Sequence, residues 1–300
     1  MEAGGGGATL RIPLSVMAGI ALLAAVPVAA QQRASAPRSD GHSTPLMMYR
    51  ASDEGAGCAP LAVISHGAGG SEEGYRYLAM SLAGQGYTAV VMGHRESGLS
   101  ALTKDMRADG FMGGLRALVG DRGAEEARLL DVGAALKWSN AKCTPPFRVL
   151  LGHSMGAETV MLEAGARNMV GVRYPPAGQD RFDAYVALSP EGPGVVFPDD
   201  AWKAIRKPVL VLTGTRDQSL KGGPEARQIP WKDMPGDPQH HCQWMGVIDG
   251  ATHMNFAGNG MGASRVDGMV TATIARFLGG VRAGACKLPA PENGITLQAK

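Results

Sequence analysis

The sequence predicts an α/β fold, a mostly parallel central sheet with helices on both faces. Three observations carry this. Short apolar runs of strand length alternate with helical patterns through the second half of the chain, the signature of βα units feeding a sheet that is covered on both sides. The pentapeptide Gly152-His153-Ser154-Met155-Gly156 directly follows the apolar run Arg148–Leu151, which reads as strand, sharp turn and helix with a serine at the apex. The other chemistry-bearing residues fall just beyond later strands, where open α/β sheets gather their sites.

Taken in order, the first possible strand is Leu46–Arg50, at an edge. Leu61–Ser65 reads as a short buried strand, followed by the glycine-rich turn His66-Gly67-Ala68-Gly69-Gly70. Ser71 is placed as the cap of a helix running to about Ala83, ended by Gly84 and Gly86. Thr88–Met92 is a second apolar strand, and residues 93–122 read as a long irregular segment. Gly123–Asn140 has the clearest helical periodicity. Beyond the serine turn a helix continues over Ala157–Ala166. Strands follow at Ala184–Leu188, Val209–Leu212 and Trp244–Ile248, and a closing helix spans Gly262 to about Leu278.

Composition restricts the function classes. The 300 residues are 45% hydrophobic and 19% charged, with a formal charge of +2. That balance suits a globular fold and gives no reason to expect a nucleic-acid partner. Residues 1–30 read as a signal peptide: an apolar stretch from Ile12 ends Val28-Ala29-Ala30, small residues at the −3 and −1 positions of a cut before Gln31. The alternative is an uncleaved anchor, since the run is near spanning length. Pro13, Pro27 and the small residues favour removal, leaving a secreted or periplasmic protein with no stable membrane anchor. Residues 31–44 read as a flexible mature N-terminus, 45–288 as the catalytic domain and 289–300 as a C-terminal tail.

Four cysteines, at 58, 143, 242 and 286, fit an oxidising compartment. Spacing alone does not give connectivity, and unpaired thiols are the alternative. Topology favours Cys58–Cys143, each just before a strand of one neighbouring pair, and Cys242–Cys286, joining the start of the last strand to the end of the last helix.

A serine hydroxyl at neutral pH is a poor nucleophile and needs a base, which in turn needs an orienting partner. With the order nucleophile, acid, histidine, the acid is Asp217, beyond Val209–Leu212, and the base is His253, beyond the last strand. Asp183 and Asp249 are rivals for the acid; His240 and His241 compete for the base but precede their strand. Asp217 could instead be a turn residue, and His253 a surface histidine. The oxyanion donors are the amide of Met155 and that of Ala68, with Gly69 as the alternative. His66 is expected to buttress the glycine loop. Tyr75, Phe111 and Phe256, with Gly69, are candidate substrate walls, although core packing explains an aromatic equally well. His240-His241-Cys242 lacks the spacing of a zinc site, and no phosphate-cradling motif occurs, so no metal or cofactor is expected.

The runs Ile64–Gly70, Gly152–Gly156, Gly214–Asp217 and Gly250–His253 together resemble the α/β-hydrolase superfamily over roughly residues 45–280. Within it the chain is similar to dienelactone-hydrolase-like and platelet-activating-factor-acetylhydrolase-like serine esterases, with cutinase-like polyester hydrolases as cousins. The resemblance implies a Ser-Asp-His triad cleaving small or polymeric esters without metal or cofactor. Dienelactone hydrolases use a cysteine nucleophile, whereas position 154 is serine. No long helical insertion follows Ala184–Leu188, so no large lid is expected. The same triad could serve an acyltransferase or an amidase, or the fold could be a catalytically silent binding protein.

Overall fold

A computed structural model of the chain describes residues 1–2, 4–5, 30–50, 57–236, 239–240 and 242–300. Nearly all of the segment read as a signal peptide lies outside the described residues. The framework is one nine-stranded sheet in the order β1-β2-β4-β3-β5-β6-β7-β8-β9. Its strands are β1 (Ala30–Pro37), β2 (Ser43–Arg50), β3 (Leu61–Ser65), β4 (Thr88–Met92), β5 (Arg148–His153), β6 (Ala184–Leu188), β7 (Val209–Arg216), β8 (Gln243–Thr252) and β9 (Ile295–Ala299). From β4 to β8 all pairs are parallel. The flanking pairs, β1–β2, β2–β4 and β8–β9, are antiparallel.

The central strands β3 and β6 are buried at every position, as expected where helices cover both faces. Alternate residues feed different layers. Leu61 and Val63 pack with α3 (Arg122–Asn140) and α4 (Met155–Glu163). Ala62 and Ile64 pack with α1 (Arg76–Gly84) and α6 (Ala263–Arg282). In α6 the buried residues Val266, Val270, Ile274 and Phe277 repeat at helical spacing, and burying each contributes about 2 kcal/mol.

Several expectations are corrected at the margins. Residues 31–44 are not a loose lead-in: Ala30–Pro37 forms the edge strand, so Leu46–Arg50 belongs to the second strand in. The 289–300 segment is not a tail, because Ile295–Ala299 pairs with β8 and closes the other edge. Residues 93–122 are mostly helical, forming α2 (Leu99–Val119), which breaks at Gly110 (φ 69°). Its exposed apolar residues and interrupted course hide its periodicity. Helix α1 begins at Arg76 after a left-handed Tyr75 (φ 55°), not at a Ser71 cap.

Both expected disulfides are present. Cys58–Cys143 ties the approaches to the neighbouring strands β3 and β5, and Cys242–Cys286 ties the start of β8 to the chain after α6. Their sequence separations of 85 and 44 correspond to about 4 kcal/mol each in the chain-entropy account. Among the described residues no helix is long and apolar enough to cross a membrane.

Candidate active site

Strand β5 runs into Ser154, and α4 starts at the next residue. Ser154 has φ 56° and ψ −124°, a strained conformation for a residue with a Cβ. The turn closes only because its flanks are glycines. A Cβ on Gly152 would collide with the carbonyl of Gly156, and one on Gly156 would collide with the carbonyl of Ser65. The amide of Ser154 donates to the carbonyl of Leu188 at 3.1 Å, tying the turn to the end of β6.

The structure brings Ser154, His253 and Asp217 together. Ser154 Oγ lies 2.9 Å from His253 Nε2, and His253 Nδ1 lies 3.1 Å from Asp217 Oδ1. Donation by the serine makes Nε2 the acceptor, so the ring proton sits on Nδ1. His253 opens a short 3-10 turn capped reciprocally by Thr252 and Asn255. Asp217 is fully buried. Burial works against its ionisation, but the His253 hydrogen bond and the Arg227 guanidinium, whose Nε is 2.8 Å from Oδ1, hold the carboxyl below its ordinary value. Thr213 Oγ1 donates to Oδ2 and Ser189 Oγ to Oδ1, both at 2.9 Å.

The rivals lie elsewhere. Asp183 accepts from the amide of Arg148 at the start of β5. Asp249 is exposed and accepts from Thr215. His240 contacts Cys286 through its carbonyl, and His241 lies outside the described residues.

The glycine loop is fixed from behind. His66 Nδ1–H donates to the carbonyl of Gly67 at 2.6 Å, and its Nε2 accepts from the amide of His94 at 3.0 Å. Burial and the neighbouring His94 hold His66 well below the usual histidine range. Within this loop the amide of Gly67 donates to Tyr75 Oη, that of Gly69 to Ser97 and that of Gly70 to Gly67. Among the described residues, the amides of Ala68 and Met155 donate to no protein acceptor. Gly69 is therefore spent, which leaves the amides of Ala68, a lining residue of the cleft that holds Ser154, and of Met155, the first residue of α4.

The site opens into a cleft of about 840 Å3, lined by Ala68, Gly69, Tyr75, Ser154 and His253, with Leu99 and Met254 among its other lining residues. Of the expected walls, Tyr75 lines the cleft but is nearly buried, and its hydroxyl lies between the Gly67 amide and His153 Nδ1, 2.7 Å away. Phe256 is fully buried against the His153 ring and does not line the cleft. Phe111 is exposed on α2 and does not line it either. Among the described residues no group of three His, Cys, Asp or Glu side chains is placed to hold a metal ion.

Three residues around the site were not singled out in the sequence for these contacts. His153 donates from Nε2 to the carbonyl of His253 at 3.0 Å. Burial and the facing His253 ring keep His153 neutral, well below its ordinary value. Ser189 follows β6 directly, and asking what lies beyond that strand would have found it. Arg227 sits in a short 3-10 turn, Pro224–Gln228, with no sequence signal for the site, yet is 2% exposed and donates to the carbonyls of Ser189, Asp217 and Gln218.

No family model matches the chain, and no curated protein does. Solved structures do. A protein described as a dienelactone hydrolase from Klebsiella pneumoniae aligns with 17% identity and a TM-score of 0.55, over 83% of this chain and 98% of that one. An esterase from Pyrococcus furiosus aligns with 16% identity and a TM-score of 0.56, over 84% and 92%. A protein described as a CIB-like hydrolase from Thermoplasma acidophilum aligns with 14% identity and a TM-score of 0.51, over 82% and 98%. With the strand order and the serine turn, these likenesses give the chain the α/β-hydrolase fold.

Proposed function

We propose that the chain is an exported serine hydrolase acting on carboxylic esters. The observation that carries this reading is a strained Ser154 whose Oγ meets His253 Nε2 at 2.9 Å. Two unspent amides beside it, and hydrolases among the fold relatives, support it. Ser154 Oγ attacks the acyl carbon while its proton passes to Nε2. The developing oxyanion is taken up by the amides of Met155 and Ala68, the first of them at the N-terminus of α4. Asp217 keeps the Nδ1 proton in place and stabilises the imidazolium. Nε2–H then protonates the departing alcohol. Water, activated by the same ring, returns Ser154 and releases the acid. Export follows from the leader-like N-terminus and is supported by the two disulfides.

Nitrophenyl esters of increasing acyl length and a fluorophosphonate probe test the reading. Labelling at Ser154 is expected, with ester turnover falling by at least ~10³-fold in Ser154→Ala. Turnover retained in that variant overturns it.

A further inference from the structure

The Nδ1 side of the His253 ring has two neighbours. Asp217 Oδ1 is 3.1 Å away, but Ser189 Oγ is closer, at 2.7 Å. The same Oγ lies 2.9 Å from that carboxylate oxygen. A hydroxyl carries one proton and two lone pairs, and a carboxylate only accepts. Ser189 therefore donates to Asp217 and offers a lone pair to Nδ1–H, which is shared between the two oxygens with the hydroxyl contact the shorter.

The placement of Ser189 is costly and tightly held. It is fully buried at φ 54°, where glycine would sit without strain. Its amide donates to the carbonyl of Leu212 at 2.7 Å, and its own carbonyl accepts from Arg227 at 2.9 Å. Strain of this kind persists where the surroundings over-determine it, and it clusters at functional sites. Here it aims a hydroxyl at an imidazole. The titratable and charged groups facing that ring are Asp217 and His153, the latter 4.7 Å away between ring centroids, with Arg227 behind the carboxylate.

We infer that Ser189 is a positioning residue for the relay between Ser154 and Asp217. The inference rests on the reading of those residues as hydrolytic machinery. When Ser154 gives its proton to Nε2, the ring becomes cationic and the Nδ1–H bond to Ser189 Oγ strengthens. Ser189 keeps its own proton throughout and, with the carboxylate, stops the ring from turning away from Ser154. Its contribution grows as charge develops, so it acts on the chemical step and not on substrate binding.

Ser189→Gly and Ser189→Ala in the full chain test this, using a nitrophenyl ester and the fluorophosphonate probe. Glycine removes the hydroxyl and relaxes the backbone; alanine removes the hydroxyl and keeps the Cβ, and carries the test if glycine unfolds the protein. A fall in kcat of roughly ten-fold or more is expected, with KM within two-fold and phosphonylation of Ser154 slowed in parallel. A folded variant with kcat within two-fold of wild type, in an enzyme whose Ser154 is labelled, overturns the role of Ser189 alone. Failure of the wild type to label at Ser154 overturns the underlying hydrolase reading instead.

Discussion

Among the described residues two Ser–His–Asp chains occur, one with its serine open to a cleft and the other with its serine buried. Ser154, His253 and Asp217 are linked at 2.9 and 3.1 Å. Ser65, His94 and Asp131 are linked at 2.8 and 2.8 Å, through the same ring nitrogens in the same order. The second chain is buried: all three residues are 2% exposed or less, and of them His94 alone borders the cleft. Its serine is not on a strained turn but ends β3, and Ser65 Oγ also accepts from buried Arg128 at 3.2 Å. The two acids differ as well. Burial drives Asp131 up to about 6 despite Thr44 and Arg38, whereas Asp217 ends below its ordinary value despite burial, with the His253 bond and the Arg227 charge prevailing. A hydrogen-bonded Ser–His–Asp chain is thus also what a protein builds to satisfy buried polar groups. Reactivity needs more: an open face, a serine lifted by a tight turn, and donors left unspent beside it.

The sharpest way to break this comparison is to remove each serine in turn. Ser154→Ala is expected to lose at least ~10³-fold in ester turnover while Tm stays within a few degrees, because alanine at φ 56° carries the same Cβ strain as serine. Ser65→Ala is expected to do the reverse. It leaves His94 Nε2 and an Arg128 N–H without their partner, at about 1–3 kcal/mol, with turnover close to wild type. Thermal melts and ester assays on both proteins decide it. Loss of turnover in a well-folded Ser65→Ala would mean that the buried chain takes part in the chemistry.

A second effect sharpens the contrast from beneath. Arg128, which caps Ser65, shares the interior with Glu125 and Glu158, all three fully or almost fully buried. Glu158 lies one turn into α4 after Ser154. Burial first, and then the facing carboxylate, push Glu158 well above the usual range; burial raises Glu125 to about 7. The folded protein therefore holds a proton there at neutral pH that an unfolded glutamate has lost above its reference value of 4.5. Stability from this pair is full below that value and falls as pH rises toward the folded value. Glu158→Gln keeps a hydrogen-bond donor without needing the proton. Its stability relative to wild type is expected to rise as pH goes from 4 to 8, with no gain near pH 4. Urea unfolding at pH 4, 6 and 8 measures it. No gain at pH 8 would mean that Arg128 is fully balanced by two ionised carboxylates.

The open chain was legible in the sequence and the buried one was not. Ser154, Asp217 and His253 each follow an apolar strand, so local pattern and strand order suffice to bring them to one edge. Ser65 ends β3 and His94 follows β4, but their partner Asp131 sits inside α3, one helical residue among many. Its meeting with His94 depends on how α3 packs across the sheet, which periodicity does not encode. The terminal strands were missed for a related reason. Residues 30–37 and 295–299 are polar in part, and edge strands need only one paired side. Their order comes from the neighbour they add to, not from their own composition.

The smallest effect concerns the clamp that ties the open site's three segments together. Tyr75 Oη accepts from the Gly67 amide at 3.2 Å and donates to His153 Nδ1 at 2.7 Å, and His153 Nε2–H reaches the carbonyl of His253. One hydroxyl thus links the loop carrying Ala68, the residue before Ser154 and the turn carrying His253. Burial pushes that hydroxyl up to about 12, so it stays a donor throughout the physiological range. Tyr75→Phe keeps the ring and strands the two bonds, at about 1 kcal/mol of stability. That loss is no larger than the one expected for Ser65→Ala, yet it falls on groups that aim the oxyanion amide and the base. A fall in kcat of roughly three- to ten-fold is expected, with KM little changed. If Tyr75→Phe and Ser65→Ala instead lowered Tm equally and left kcat equally untouched, the clamp would belong with the buried network, as packing around the site and not part of its alignment.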